Sequence, residues 1–415
     1  MTGQELTKLR DSMLFKPVTM NTILGEFVPN PNAFMLTEAF LPFKEVSSDM
    51  TIDLINNGAF GRTSPINLGA DHQKVSIPGF SYKQHTPGRW RESVVFGEDE
   101  LARAVNPATP LERYGEAMAA AALNFLDTRL NNLIEYTTAK LLINGTYSEA
   151  RYGVNYTYDP KIPAKYYRNI TSSPGFTTGG TWATLASSTP YNDIMELANI
   201  ARKYGLNPVK VWGSVKTLGL YVNSADTQTR IKASFQLIGQ NPNRETIFGT
   251  LAGLPFQLDS RLYAEESRLT TANAISDTVI NLTDATDFAV GDVITMRNSV
   301  GGEEEVTIAS KNGNAVTVSA LTLAYLVGDR ATVYKTFMPD NYIILQCESN
   351  DRVAPNNWLS TPSLVKGQSW SKPAPGRYTW TTFKETVPYS LEIGGGIDGG
   401  PKISRANYLV WRIVA

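Results

Sequence analysis

Cysteine and histidine are nearly absent from this chain, which has one cysteine, Cys347, and two histidines, His72 and His85, in 415 residues. A lone cysteine excludes an internal disulfide and the paired-cysteine frames that hold structural zinc. Cys347 ends the apolar run Tyr342-Ile343-Ile344-Leu345-Gln346-Cys347, the setting of an inert buried thiol. Net charge is missing too, with 38 basic against 39 acidic residues and a formal charge of -1. Such a subunit has no field to draw in a phosphate backbone, which argues against a dedicated DNA binder. Long apolar runs are also lacking. Residues 117–123 are far short of the roughly 20 residues that cross a bilayer, and no signal-peptide stretch follows Lys8 and Arg10. Synthesis in a cytosol and no membrane partner are the expectation, so Asn144-Gly145-Thr146 and Asn281-Leu282-Thr283 carry no weight as glycosylation sites.

Catalytic signatures are equally scarce. A histidine-based triad would have to recruit His72 or His85, and no Gly-x-Ser-x-Gly elbow accompanies them. No His-Glu-x-x-His, Cys-x-x-Cys or Gly-x-x-x-x-Gly-Lys string occurs. Residues 394–399 spell a dinucleotide fingerprint, but Pro401 follows and too little chain remains for the helix and second strand it needs, so a flexible glycine loop is expected. Paired acids such as Glu98 with Asp99, or Glu303 to Glu305, read as solvated charge, and His85 as an exposed turn residue. The expectation is a protein that is not an enzyme, with no catalytic, cofactor-binding or metal-ligating residue and no cofactor.

What is present is ample core. Apolar residues make up 42% of the chain and charged residues 19%, with 19 Tyr, 16 Phe and 7 Trp, the composition of a folded protein. A chain this long is expected to fold as two or three packed units. Residues 4–14 place Leu6, Leu9 and Met13 at helical spacing before Pro17, Pro29 and Pro31 break the chain, as an arm packed on something else would. Residues 73–96 interleave Val75, Ile77, Tyr82, Trp90, Val94 and Phe96 with charged residues about Thr86-Pro87-Gly88-Arg89. Pro and Gly there suit a type II turn, and a long hairpin is predicted. After Pro110, Leu111, Tyr114, Met118, Ala121, Phe125, Leu130, Leu133, Thr137 and Leu141 recur at helical intervals, giving one spine helix to Asn144-Gly145.

Beyond residues 146–188, which carry no clear period, Thr189-Pro190 opens a helix that Gly205 ends. A strand at Val209–Trp212 and a helix capped by Ser214 follow, and Ser224-Ala225-Asp226 begins another that reaches toward Leu237. From about Thr270 to Thr336 the pattern becomes short alternating strands. Val306 and Ile308 face Val316 and Val318 across Lys311-Asn312-Gly313-Asn314, a tight hairpin signal. Val290-Gly291-Asp292 is echoed by Val327-Gly328-Asp329, which suggests a small closed barrel of two similar halves. Residues 342–348 read as a buried strand, 351–375 as a proline-bearing loop, and 378–387 and 408–414 as strands.

This order resembles the phage major capsid proteins of the Hong Kong 97 fold, and in detail the lambda-type capsid protein E family. The resemblance lies in residues 32–55, Trp90-Arg91-Glu92 running into Phe96-Gly97-Glu98-Asp99, the helix from Leu111, residues 205–213 and Gly253-Leu254-Pro255-Phe256. It implies an α+β fold with an N-terminal arm (1–45), an extended loop (46–105, hairpin about 70–98) and a peripheral domain with the spine helix (106–188). An axial domain (189–269), an inserted β domain (270–336) and return strands of the peripheral and axial domains (337–415) complete it. By the same resemblance the chain is a major capsid protein that assembles as pentamers and hexamers into an icosahedral head around double-stranded DNA. It would reside in the virion after synthesis in the host cytoplasm. Scaffolding, portal and decoration proteins are the implied partners, with only non-specific proximity to DNA. The implied assembly-interface residues are Lys83, Arg89, Trp90, Arg91, Glu92 and Phe96. An encapsulin-like compartment shell is the alternative, and a β-rich enzyme or binding module the remaining one.

Overall fold

The computed structural model describes residues 33–46, 51–56, 80–97, 111–151, 154–169, 181–230, 250–251, 253–348, 356–360, 377–384 and 390–413. The arm at residues 4–14 lies outside them. The fold is mixed α+β and divides into two compact units, one from Met1–Gln257 and Asp340–Ala415, the other Leu258–Pro339.

In the larger unit a short helix α1 (Met35–Phe40) leads into β1 (Phe43–Glu45) and β2 (Thr51–Asn56), and then to β3 (Phe80–His85) and β4 (Gly88–Phe96). The single hairpin expected over residues 70–98 is not how these strands pair. β3 pairs with β2 from Thr51↔His85 to Asn56↔Phe80, a two-stranded ribbon with no further strand among the described residues. Thr86-Pro87 carries the chain out of that ribbon, and β4 joins a different sheet. His85, expected as an exposed turn residue, is instead 2% exposed, its Nδ1 2.9 Å from the Tyr158 hydroxyl.

Helix α2 (Leu111–Asn144) is the 34-residue spine. Leu123, Leu126, Leu130 and Ile134, at spacings of three and four, are all buried in one stripe. Phe125, expected on the apolar face, is 47% exposed, with the Arg129 guanidinium 5.6 Å above its ring. The C-terminal half of α2 is enclosed more fully because α1 covers it. Glu135 accepts the Leu36 N–H at 3.1 Å, and the Thr37 and Thr138 hydroxyls lie 3.0 Å apart. The featureless stretch after α2 holds the hairpin of β5 (Tyr147–Arg151) and β6 (Val154–Tyr158), then β7 (Tyr167–Asn169).

Helix α3 (Pro190–Lys203) has proline in its first turn and buries Ile194, Leu197, Ala198 and Ala201. Gly205, at φ 73°, closes it, its N–H donating to Arg202 O at 2.9 Å and that of Leu206 to Ala201 O at 3.0 Å. β8 (Asn207–Gly213) follows, and the Ser214 hydroxyl accepts the Thr217 N–H at 3.2 Å to start α4 (Val215–Asn223). Residues 225–230 are helical, and the extension toward Leu237 lies outside the described residues. β9 (Thr250–Leu251) and β10 (Leu254–Leu258) lead to the second unit.

That unit holds β11 (Leu262–Arg268), β12 (Val279–Asn281), β13 (Val293–Arg297), β14 (Glu303–Asn312), β15 (Ala315–Val318) and β16 (Arg330–Thr336). They pair in the order β11-β16-β13-β14-β15-β12, and a bridge between Leu269 and Leu282 joins the two ends of the path. The unit starts ahead of the expected residue 270 because β11 pairs along its whole length with β16. Its core includes Ile280, Ile294, Met296, Val306, Ile308, Val316, Val318 and Val333. The two echoed turns match in detail. Gly291 and Gly328 have φ 92° and 91°, and Asp292 and Asp329 each take the N–H three residues back on Oδ2 at 2.7 Å. Ala274-Ile275-Ser276-Asp277 repeats the arrangement a third time, with Ser276 at φ 74° and Asp277 Oδ2 2.7 Å from Ala274 N.

The chain returns through β17 (Tyr342–Glu348), β18 (Asn357–Ser360), β19 (Arg377–Lys384), β20 (Ser390–Lys402) and β21 (Tyr408–Arg412). β17 and β21 are central to the sheet β7-β21-β17-β8-β10-β9, and Cys347 on β17 is buried. β18 lies within the stretch read as a loop. β20 replaces the expected flexible glycine loop with a 13-residue strand bordered by β18 and β19 along one edge and β4 along the other.

Candidate assembly surface

β20 can be rich in glycine because its neighbours fill the space. A β-carbon on Gly394 would lie 2.0 Å from Trp380 Cε2, one on Gly396 2.7 Å from Tyr378 Cζ, and one on Gly399 2.5 Å from Leu359 O. Side chains of β19 thus lie flat across β20, and a β-branched residue there would prise them off. The opposite face is closed by α2, where Gly395 faces Leu126 and Leu130. The Tyr378 and Trp380 ring centroids are 6.0 Å apart.

β4 lies along this floor from Gly88↔Gly399 to Phe96↔Leu391. Trp90 packs against Tyr156 and Trp358 at centroid distances of 5.3 and 6.4 Å. Glu92 takes a two-point ion pair from Arg129 of α2 at 2.6 and 2.9 Å, and Phe96 is half-buried. On the other face Arg89, Arg91, Ser93 and Val95 are exposed. Arg91 Nε donates to the Tyr378 hydroxyl at 2.6 Å, and that hydroxyl donates to Asp398 Oδ1 at 3.2 Å. Burial, then the neighbouring Asp398 carboxylate, pushes the Tyr378 phenol up to about 12 against the opposing pull of Arg91, so it stays neutral at pH 7. Among the described residues no strand pairs with the outer edge of β4.

Five of the six residues singled out from sequence, Arg89, Trp90, Arg91, Glu92 and Phe96, therefore share one strand. Lys83 does not join them and stands opposite Asp53 in the ribbon. Sequence reasoning missed Tyr378, Trp380, Gly394, Gly396 and Asp398. Their signal was the period of two shared by Tyr378-x-Trp380 and Gly394-x-Gly396. Among the described residues no group of three or more His, Cys, Asp or Glu is placed to hold a metal ion, and no helix is long and apolar enough to cross a membrane.

No protein-family model and no curated protein matches the chain. Among solved structures it is similar to a protein assigned as the capsid protein of a prophage of E. coli CFT073, at 11% identity over 100% of this chain and 99% of that one, with a TM-score of 0.46. It is similar to a phage-related protein from Bordetella bronchiseptica RB50, at 11% identity over 97% and 98% of the two chains, with a TM-score of 0.44. It is also similar to an encapsulin complex from Synechococcus elongatus PCC 7942, at 10% identity over 99% and 94%, with a TM-score of 0.41.

Proposed function

We propose that this chain is a phage major capsid subunit of the Hong Kong 97 type, whose work is to assemble with copies of itself into a closed shell around double-stranded DNA. The observation that carries the reading is the β2–β3 ribbon, six residue pairs with no third strand among the described residues. A lone two-stranded ribbon is at best marginally stable in water, so it needs a surface to lie on, and a neighbouring copy supplies one. The outer edge of β4, which no strand among the described residues pairs with, and the exposed Arg89, Arg91 and Val95 along that strand offer such a surface. Lys83, Arg89, Trp90, Arg91, Glu92 and Phe96 are on this reading the assembly interface. Glu92 and Trp90 act from within, Glu92 by fixing β4 on Arg129 of α2 and Trp90 by packing on Tyr156 and Trp358. The six-stranded unit is a small inserted barrel, and scaffolding, portal and decoration proteins are the further partners.

Negative-stain electron microscopy of the purified full-length chain, with light scattering, tests the proposal. Closed shells, or rings of five or six subunits, are expected. A monomer at every concentration, with and without a co-expressed scaffolding protein, overturns it. Shells that enclose a cargo enzyme instead of nuclease-protected DNA would transfer the reading to an encapsulin-like compartment.

A further inference from the structure

The outer face of the inserted unit carries a row of arginines. Arg268 stands directly opposite Arg330, and Arg330 directly opposite Arg297, on the adjacent strands β11, β16 and β13. Directly opposed residues point to the same side of a sheet, and all three are exposed. Like charges in that position destabilise a ladder, and none of the three side chains has an ion-pair or hydrogen-bond partner among the described residues. The carboxylates on this face stand at its margins, Glu303 opposite Arg297 on β14, Glu305 behind it, and Glu266 on β11. Arg330 is left with an arginine on each side.

The row lies at one end of the ladder. β11 and β16 pair from Leu262↔Thr336, beside the residues where the chain enters and leaves the unit, to Arg268↔Arg330, about 20 Å further along. Loops that leave the sheet at the arginine end present apolar side chains to solvent. Val300, just beyond Arg297, is 89% exposed, and Leu326 and Val327, just before Arg330, are 62% and 64% exposed. Ile275, 61% exposed, is in the neighbouring loop, because Asn273 and Tyr325 exchange both backbone hydrogen bonds at 2.9 Å. Val290 holds the equivalent turn position at the opposite end and is 64% exposed, so turn type alone does not distinguish the two ends. The arginine row does.

We propose that this end of the inserted unit docks an acidic, amphipathic helical segment of another protein. Arginines on neighbouring strands are about 4.8 Å apart, close to the roughly 5–6 Å between side chains three or four residues apart on a helix. Carboxylates along one face of an extended strand are spaced at about 6.6 Å or more, a poorer match. A stripe of glutamates or aspartates would pair with Arg268, Arg330 and Arg297 through charge-assisted bonds. The next stripe of that helix would lay leucine-like side chains on Val300, Val327 and Ile275. This goes beyond the shell reading and does not rest on it, since the surface belongs to one unit of one chain.

The test is fluorescence anisotropy on the full-length, unassembled chain with a labelled synthetic helix bearing one glutamate stripe and one leucine stripe. The control is the same helix with lysines in place of the glutamates. Saturable binding of the glutamate helix alone is expected. Arg330→Gln should weaken it about tenfold and Val300→Ser with Val327→Ser by a similar factor, with the melting temperature of Arg330→Gln unchanged or raised. Equal binding of the lysine helix, undiminished binding by Arg330→Gln, or no binding of either helix overturns the proposal. So does binding to phosphatidylserine vesicles with none to the glutamate helix, which would assign the surface to a lipid headgroup.

Discussion

A methyl group at position 394 would occupy the place of the Trp380 ring, whereas one at 395 would meet nothing nearer than Leu126 Cβ at 3.4 Å, with Leu126 and Leu130 methyls at 3.7 Å. The two neighbouring glycines therefore make a matched pair. Gly394→Ala should cost about 1–3 kcal/mol as the ring is forced off the strand. Gly395→Ala should fall between neutral and a gain of about 0.5–1 kcal/mol, because alanine restricts the unfolded chain. Urea unfolding of the two variants decides the matter, and equal midpoints would mean that Trp380 does not rest on Gly394. The ion pair of Glu92 with Arg129 is a weaker determinant. Both side chains are about two-fifths exposed, and solvent screening leaves such a pair worth roughly 0.2–1 kcal/mol.

At the scale of elements, one lysine does the work of a clasp. Lys311 on β14 donates to the carbonyl oxygens of Ala285, of Thr286 at 3.3 Å and of Phe288 at 3.0 Å, tying the 285–288 turn to the strand. Lys311→Met keeps the length of the side chain and removes the donor. A loss of about 1–2 kcal/mol is expected, with faster amide exchange across the turn, and unchanged exchange there would count against the clasp. The hairpin beside it was legible in the sequence, since Asn312-Gly313 is a local turn signal, and Gly313 sits at φ 60° between the pair Asn312↔Ala315. The α2 helix was legible for the same reason, in its helical spacing, but its buried stripe was only partly so, since Ala121 and Phe125 are exposed and Leu123, Leu126 and Ile134 take the core positions beside Leu130. What misled was pairing over distance. Thr86-Pro87-Gly88 has turn chemistry, yet β3 finds β2 and β4 finds β20, partners that no local pattern names. The glycines of β20 mark a strand only once Trp380 and Tyr378 lie over them, so in the linear sequence they read as a loop. The third copy of the repeated turn was hidden because Ser276 replaces the glycine.

The whole molecule shares one chemical trait, phenols and a thiol held neutral by burial. Burial pushes Cys347 up to about 12. Burial also pushes Tyr167 up to about 12, with the Tyr408 hydroxyl pulling the other way, and raises Tyr147, Tyr156, Tyr325 and Tyr408 further. These residues fall in both units. For each, the folded state keeps its proton to higher pH than the unfolded chain, whose thiol titrates at about 8.5 and phenols at about 10. Above those values the unfolded state binds fewer protons, so unfolding stability falls as pH rises. The contribution is complete below about pH 8.5 and is lost through the window up to the folded values, at about 1.4 kcal/mol for each group and each pH unit of separation. The melting temperature should hold level between about pH 7 and 8.5 and decline steeply between about 9.5 and 11. Tyrosinate absorbance from these residues should grow only in step with loss of secondary structure. Tyrosinate that appears ahead of unfolding would mean the phenols titrate in place, and that burial does not hold them neutral.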